Sequence, residues 1–490
     1  MNFSVQSGNE SPMTFKEEFH ETFWMVNSLT ILEINIISKA NTWYSLDELE
    51  LVEAAKKVLD GNWTGKFTIP SATLYPHQWS WDSCFIAIGN SYFDTDRSMK
   101  ELEYLFDAQW KNGMIPHIVF NEKEKTYFPT AEYYEITRSP NAPKHIGTSG
   151  MTQPPVHSLA CFYIHHNSKD KTKTKEFLAK VYPNLLRFHR YLMTERDPEK
   201  SGLVTIFHPW ESGRDDSPIW DDALARVSIT KLSKFERLDI IAVDGAIDTI
   251  PSDEEYNKFI FLIDLMKMYN YDEKMMYEKF PFKIKDVSFS SMLYVTNKIL
   301  LHIANILGED SQEISEWISR TEQNYYKYFA MPSDGKTDVS DGLFYDYDIV
   351  IGDRIIKRTV SSLSPLYTGL ISNQDAESIV KWISNADFAA EYDTIASTDE
   401  KESYFKPVTY WRGPIWINTN WALRLGLLRY GYVDRAERIR QGVYRLVADQ
   451  GFREYYDPTT GAGLGGKNFS WTAALLVDMI MMKSNPFLNQ

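Results

Sequence analysis

Apolar residues recur at helical spacing over most of the chain. Ser45-Leu46-Asp47-Glu48 reads as a capping box, and Leu49, Val52, Ala55 and Leu59 follow three or four positions apart until Gly61 stops the helix. The same spacing predicts helices over 83–92, 95–110, 151–167, 174–195, 253–270, 285–307, 312–329, 364–371, 375–384, 414–430, 433–449 and 469–483. Asp253-Glu254-Glu255 opens one of these runs, and Pro414 is expected just inside the start of another. Residues 1–44 read as an extension, with an amphipathic helix expected around Phe15–Ile37. Alternating strand patterns are few; Leu343–Val350 and Arg354–Val360 predict a hairpin around Gly352-Asp353.

About a dozen helices, little strand and no linker of Pro, Gly and Ser predict one large all-α body over 45–484. No short internal repeat appears, so a closed toroid of helical hairpins is preferred to a solenoid. A formal charge of −15 over 490 residues sharpens this by exclusion. A nucleic-acid or anionic-membrane partner needs a basic face, and no Lys/Arg-rich block exists. No apolar run reaches 18 residues, and the first residues, MNFSVQSGNESPMTF, lack the basic start and apolar core of a secretory signal. Two cysteines, Cys84 and Cys161, suit a reducing compartment as small buried hydrophobes. A cytoplasmic protein is therefore expected; the oligomeric state is left open.

Aromatic residues make up 14% of the chain, and composition cannot separate a large core from a surface that stacks rings on sugars. Position is more informative, because four segments concentrate residues that helices do not need. Leu74-Tyr75-Pro76-His77-Gln78-Trp79-Ser80-Trp81-Asp82-Ser83 stands before a helix. It reads either as an N-cap, with Asp82 or Ser83 capping, or as a sugar subsite in which rings stack and Asp82 accepts hydroxyls. His208-Pro209-Trp210-Glu211-Ser212-Gly213-Arg214-Asp215-Asp216 carries three carboxylates in six residues, either solvated or with one held protonated as a general acid.

The third segment, Tyr410-Trp411-Arg412-Gly413-Pro414-Ile415-Trp416, offers an aromatic platform before a helix whose Trp416 face packs inward. The fourth runs from Glu454-Tyr455-Tyr456-Asp457 through Gly461, Gly463, Gly465 and Gly466 to Phe469-Ser470-Trp471. It lacks the G-x-x-x-x-G-K-[ST] of a phosphate loop, so the glycines are read as a tight loop that brings Glu454 over a cavity. Two carboxylates on distant loops among Trp and Tyr platforms form the constellation of a glycosidase.

Taken together and in order, LYPHQWSWDSCFIAIG, TSGMTQPPV, HPWESGRDDSP, YWRGPIWINTNWAL and EYYDPTTGAGLGG with FSWTAAL resemble glycoside hydrolase family 63. Among its members the likeness is greatest to the compact mannosylglycerate/glucosylglycerate hydrolases, and it covers about Leu51 to Met481. The resemblance implies an (α/α)6 barrel with loops or a small cap over one mouth, no cofactor, and inverting exo-hydrolysis of a small α-glucoside or α-mannoside. It makes Asp215 the general acid and Glu454 the general base. Tyr75, Trp81 and Asp82 would hold the non-reducing sugar, His117 and Gln153 would be polar ligands, and Tyr410 with Trp411 an aromatic wall. Trp79, Trp210, Gly213, Arg412, Gly413 and Trp416 complete the expected substrate-binding set.

Two positions depart from that pattern. Asp216 stands where relatives usually carry Asn or an aromatic, and would either raise the pKa of Asp215 or act as a supporting acceptor. Ile250-Pro251-Ser252-Asp253 replaces Arg-Pro-[Ser/Thr]-Asp, so Arg237, Lys234 or Arg214 would have to meet the carboxylate of a glycerate aglycone. No metal is expected: His165-His166-Asn167 lacks a third ligand nearby, and Asp341, Asp346, Asp348 and Asp353 read as solvated rather than calcium-binding. The competing readings are an α-glucosidase on a kojibiose- or nigerose-like sugar and a catalytically silent sugar-binding protein. A terpene cyclase would need a D-x-D-D motif, which is absent.

Overall fold

The computed structural model describes residues 46–238, 250–331, 341–384, 388 and 391–482. The helices that build the body are α1 (Leu46–Gly61), α2 (Ser80–Asn90), α3 (Thr95–Asp107), α4 (His157–Asn167), α5 (Lys171–Thr194) and α6 (Asp253–Met268). They continue with α7 (Val287–Leu307), α8 (Gln312–Phe329), α9 (Val360–Leu363), α10 (Asn373–Ser384), α11 (Ile417–Arg429), α12 (Val433–Gln450) and α13 (Ser470–Met481). The chain divides into two units after Glu50, and nearly all described residues belong to the second.

Two kinds of helix are distinguished by how their apolar residues are arranged. Every residue of α2 is buried, as is α13 from Ser470 to Ile480 and α4 from His157 to Ile164. Helices apolar on all sides belong inside a body. By contrast α5 buries a single stripe (Phe177, Leu178, Val181, Leu185, Phe188, Leu192), and α8 buries Ile314, Trp317, Thr321, Tyr325 and Phe329. The inner elements form a closed circuit. Helix α2 packs on α4, α4 on α7, and α7 on the 3-10 turn Ser364–Tyr367 that continues α9. That turn packs on α11, α11 on α13, and α13 returns to α2. Outside them α3 packs on α2, α5 on α4, α8 on α7 and α12 on α11, which is the toroid of helical hairpins the pattern predicts.

Short antiparallel strands lead into the inner helices. Strand β1 (Gln78–Trp79) pairs with β2 (Ile118–Val119) and runs directly into α2. Strands β3 (Thr205–Ile206), β4 (Ile284–Lys285), β5 (Tyr347–Asp348) and β6 (Asp353–Arg354) form one sheet, with β4 just before α7. Strands β7 (Ile415–Trp416), β8 (Arg453–Tyr456) and β9 (Gly463–Lys467) form another, with β7 entering α11 and β9 just before α13. The strand-bearing loops therefore lie at helix N-termini.

Several expected boundaries move, each for a local reason. The helix expected from 151 begins at His157, after Pro154-Pro155. The one expected over 414–430 begins at Ile417, because Ile415 and Trp416 pair with Tyr456 and Tyr455, so Pro414 precedes a strand rather than opening a helix. The helix over 364–371 is only the 3-10 turn Ser364–Tyr367 after α9. The hairpin contracts to Tyr347-Asp348 against Asp353-Arg354. Helix α2 starts at Ser80 with Trp79 at its N-cap and no side-chain cap, so neither Asp82 nor Ser83 caps it. Residues 1–44, Phe15–Ile37 among them, and Ser45 of the capping box lie outside the described residues.

Gly89 marks a close crossing of α2 and α13. A Cβ there would overlap the backbone and Cβ of Ala474 in α13, leaving no room for a side chain. Gly89→Val should lower stability by about 1–3 kcal/mol or more through overpacking. Thermal denaturation of the variant should show a clearly reduced Tm.

Candidate active site

A cavity of about 840 Å³ opens among the strand-bearing loops. Its wall includes Tyr75, Trp79, Trp81, Asp82, His117, Gln153, Trp210, Gly213, Asp215, Tyr410 and Glu454, drawn from all four chemistry-bearing segments and the T-Q-P loop.

The loop after β3 delivers Asp215 because a buried ion pair pins it. Arg196 donates from Nη2 to Glu211 Oε1 and from Nη1 to Glu211 Oε2, both at 2.8 Å, with both side chains fully buried. Glu211 Oε2 also accepts the Phe207 N–H at 2.8 Å. One of the three carboxylates of this loop is thus structural. His208 accepts from the Trp210 N–H through Nδ1 at 3.0 Å, which turns the chain into a 3-10 helix, Pro209–Ser212. Gly213 ends it at φ 69°, where a Cβ would enter the Trp81 ring. The Asp215 carboxyl then faces the cavity with no hydrogen bond from another described residue. Burial, then the charges of Asp216, Glu454 and Asp82, hold its pKa well above the ordinary carboxylate range.

Glu454 is held quite differently. Strand β8 pairs with β7 and β9, and the carboxylate accepts from three donors. Tyr75 Oη lies 2.8 Å and Tyr410 Oη 3.3 Å from Oε1, and the Gly466 N–H lies 2.8 Å from Oε2. The close approach explains one glycine: a Cβ on Gly465, at φ 62°, would overlap Oε2. Burial raises Glu454 to about 7, while the backbone N–H and the two tyrosines oppose it.

Asp82 lies in the first turn of α2, where the helix N-terminus favours an anion. Burial, and then Glu454, nevertheless raise its pKa well above normal. Gln153 accepts the Trp81 N–H through Oε1 at 3.3 Å. The Trp81 ring meets Trp471 edge-on at 5.3 Å. His117 has Nδ1 2.7 Å from Ser149 Oγ, and burial holds its pKa well below the usual imidazole value. It therefore offers a neutral ring to the cavity.

Four expected binding residues stand behind the wall rather than on it. Trp411 and Trp416 are fully buried and stack at 3.9 Å with an interplanar angle of 2°. Gly413 presses on the Lys406 backbone. Arg412 is paired with Asp216, Asp221 and Glu255. Tyr410 does reach the cavity, backed edge-on by Trp416 at 5.0 Å. The wall also contains Tyr127, Phe128, Tyr256, Phe259 and Trp471, which the sequence reading did not select. Only Trp471 carried a signal, since it lies within the FSWTAAL segment already singled out. The others reach the site through a loop after β2 and through α6, whose spacing alone says nothing of the cavity.

None of the cations considered for a glycerate carboxylate lines the cavity, although Ile250 and Pro251 do. Arg214 is turned to Asp286, 2.6 Å away, and Arg237 donates to the Pro251 carbonyl at 3.0 Å while covering the Tyr256 ring. Lys234 is exposed. Lys125 is the cationic side chain on the described wall. Among the described residues no group of three His, Cys, Asp or Glu is placed to hold a metal ion, and no helix is long and apolar enough to cross a membrane. The acidic residues at the hairpin are engaged: Asp341 accepts the Leu343 N–H, Asp346 the Val287 N–H and Asp348 the Val350 N–H.

A ring of helical hairpins with paired carboxylates in an aromatic cavity defines a glycoside hydrolase on an (α/α)6 barrel. Residues 75–472 match the mannosylglycerate hydrolase MGH1-like glycoside hydrolase domain, and the chain belongs to that family, within glycoside hydrolase family 63. It is 39% identical to the mannosylglycerate hydrolase of Rubrobacter radiotolerans over 88% of this chain and 97% of that one. It is 33% identical to the glucosylglycerate hydrolase of Mycolicibacterium hassiacum, over 89% and 99% respectively. The crystal structure of a GH63 mannosylglycerate hydrolase from Thermus thermophilus, in complex with Tris and D-glycerate, superposes with a TM-score of 0.81. That pair is 38% identical, with 87% of this chain and 99% of the other covered.

Proposed function

We propose that the chain hydrolyses a small α-glycoside of glycerate, glucosylglycerate or mannosylglycerate, with inversion. The 45–484 body is the catalytic domain in this reading, and a cytoplasmic location suits the two buried free cysteines. The observation that carries it is the contrast between the two carboxyls. Asp215 takes no hydrogen bond from another described residue and is biased toward its protonated form, as a group that must give a proton to a leaving oxygen requires. Glu454 is aimed by Tyr75, Tyr410 and the Gly466 N–H, as a base that must orient and deprotonate water requires.

The water attacks the anomeric carbon from the Glu454 side while Asp215 protonates the departing glycerate oxygen. Inversion follows from attack opposite the leaving group. Asp82 accepts hydroxyls of the sugar, Trp81 and Trp210 cover its apolar face, and neutral His117 donates or accepts without adding charge. Lys125 meets the glycerate carboxylate in this reading, in place of an arginine at Ile250.

Asp215→Asn and Glu454→Gln should each cut kcat by about a thousandfold or more while sugar binding survives. Proton NMR of the first-formed sugar should show the β anomer; an α product would mean retention and exclude the assigned pair of roles. The pH profile of kcat/KM should fall on the acid side near 7, as Glu454 gains its proton, and any alkaline limb reports Asp215 losing its own. An acid limb in the ordinary carboxylate range, near 4, would contradict this. Lys125→Ala should raise KM about fivefold for glycerate glycosides, given the exposure of the ammonium. It should leave KM for a glycoside with a neutral aglycone unchanged, and steady-state kinetics with both substrates checks the difference.

A further inference from the structure

Asp216 follows Asp215 directly but is buried behind the cavity wall rather than lining it. Its Oδ1 accepts from Arg412 Nε at 3.2 Å, and its buried Oδ2 has no hydrogen-bond partner. Arg412 is itself fixed, donating to Asp221 Oδ1 at 2.6 Å, Asp221 Oδ2 at 3.1 Å and Glu255 Oε1 at 2.8 Å. One guanidinium therefore meets three carboxylates, with Lys406 and Ser252 also acting on Glu255, while Asp216, among the described residues, receives only the Nε–H of Arg412. A neutral amide at 216 would give Arg412 the same acceptor. What an acid adds there is charge, at the cost of an orphaned oxygen in the interior.

We propose that Asp216 is a positioning residue for the reaction: its carboxylate, pinned by Arg412, keeps the proton on Asp215 until the leaving oxygen takes it. The inference rests on Asp215 being the general acid. The charged and titratable groups facing Asp216 are Arg412, Glu255, Asp221 and Asp215. Those facing Asp215 are Asp216, Glu454, Asp82 and Tyr410. Burial raises Asp216 to about 7 against the pull of Arg412, and Asp215 is held well above its ordinary value, by burial first and Asp216 second. Above about pH 7 Asp216 is mostly ionised, so it repels the charge that Asp215 would acquire on ionising. The largest influences on Glu454 are its own burial, Gly466, Tyr75, Tyr410 and Arg453.

The test is the pH profile of kcat/KM for wild type, Asp216→Asn and Asp215→Ala. Each is measured with a glycerate glycoside and with the corresponding α-glycosyl fluoride, whose leaving group needs no proton from an acid. Asp216→Asn should move the alkaline limb down by about one unit, a tenfold change in proton affinity. The acid limb should stay in place, and the fluoride should be hydrolysed as by wild type. Asp216→Ser, smaller and equally uncharged, should shift the same limb and serves if the Asn variant folds poorly. An alkaline limb that does not move, or an equal loss at every pH with both substrates, overturns the proposal. If Asp215→Ala retains full activity on the glycerate glycoside, the acid assignment itself fails; if it is inactive there while the Asp216→Asn limb is unmoved, only the present inference fails.

Discussion

Removal of water from carboxyl groups is the constraint on which the site depends. Asp82, Asp215, Asp216 and Glu454 are all drawn out of bulk solvent, and burial is the largest cause of the upward shift in each. Acids that would be fully ionised at neutral pH on a surface are thereby biased toward their protonated forms. What separates them is how each is answered. Glu454 is given three hydrogen-bond donors, Asp216 a guanidinium, and Asp215 none from any other described residue.

Such a cluster of like charges is tolerable only where cations and backbone amides stand close behind it. Arg412 answers Asp216, Asp221 and Glu255, and Arg196 answers Glu211 and Glu273. The Arg196 pairs are buried, and removing one partner there would leave an uncompensated charge in a dry interior, typically a loss of about 3–5 kcal/mol, whereas Asp221 and Glu255 on Arg412 stay partly exposed. The pair of Arg196 and Glu211 fixes the loop that carries Asp215. Fold and chemistry meet at that point, because the same buried charges that make the loop rigid also decide the direction Asp215 faces.

The ring of helices serves this arrangement by putting loops rather than helix interiors around the cavity. Strands β1, β4, β7 and β9 each lie just before an inner helix, so the Trp- and Gly-rich segments gather at helix N-termini. Close contacts such as Gly89 on Ala474 leave the inner helices little freedom to shift, which keeps those loops in register.

The helical periodicity and the four unusual loops were legible in the linear chain, because helix spacing and side-chain chemistry are local properties. Glu454 and the rings of Tyr75, Trp81 and Tyr410 could be singled out for the same reason, whereas the choice of Asp215 among three neighbouring carboxylates came from the family resemblance. Boundaries slipped where a distant partner intervened, as when Ile415-Trp416 became a strand by pairing with Tyr455-Tyr456. Tertiary packing alone decided which face of a residue reaches the cavity. Trp411 stacks away behind Tyr410, Arg412 turns to three acids, Glu211 becomes an anchor instead of a reactant, and Phe259 and Tyr256 arrive from a helix with no motif. Chemistry-bearing residue types are written in order along the chain, but their solvation and charge partners come from segments up to hundreds of residues apart, and only the closed ring brings those together.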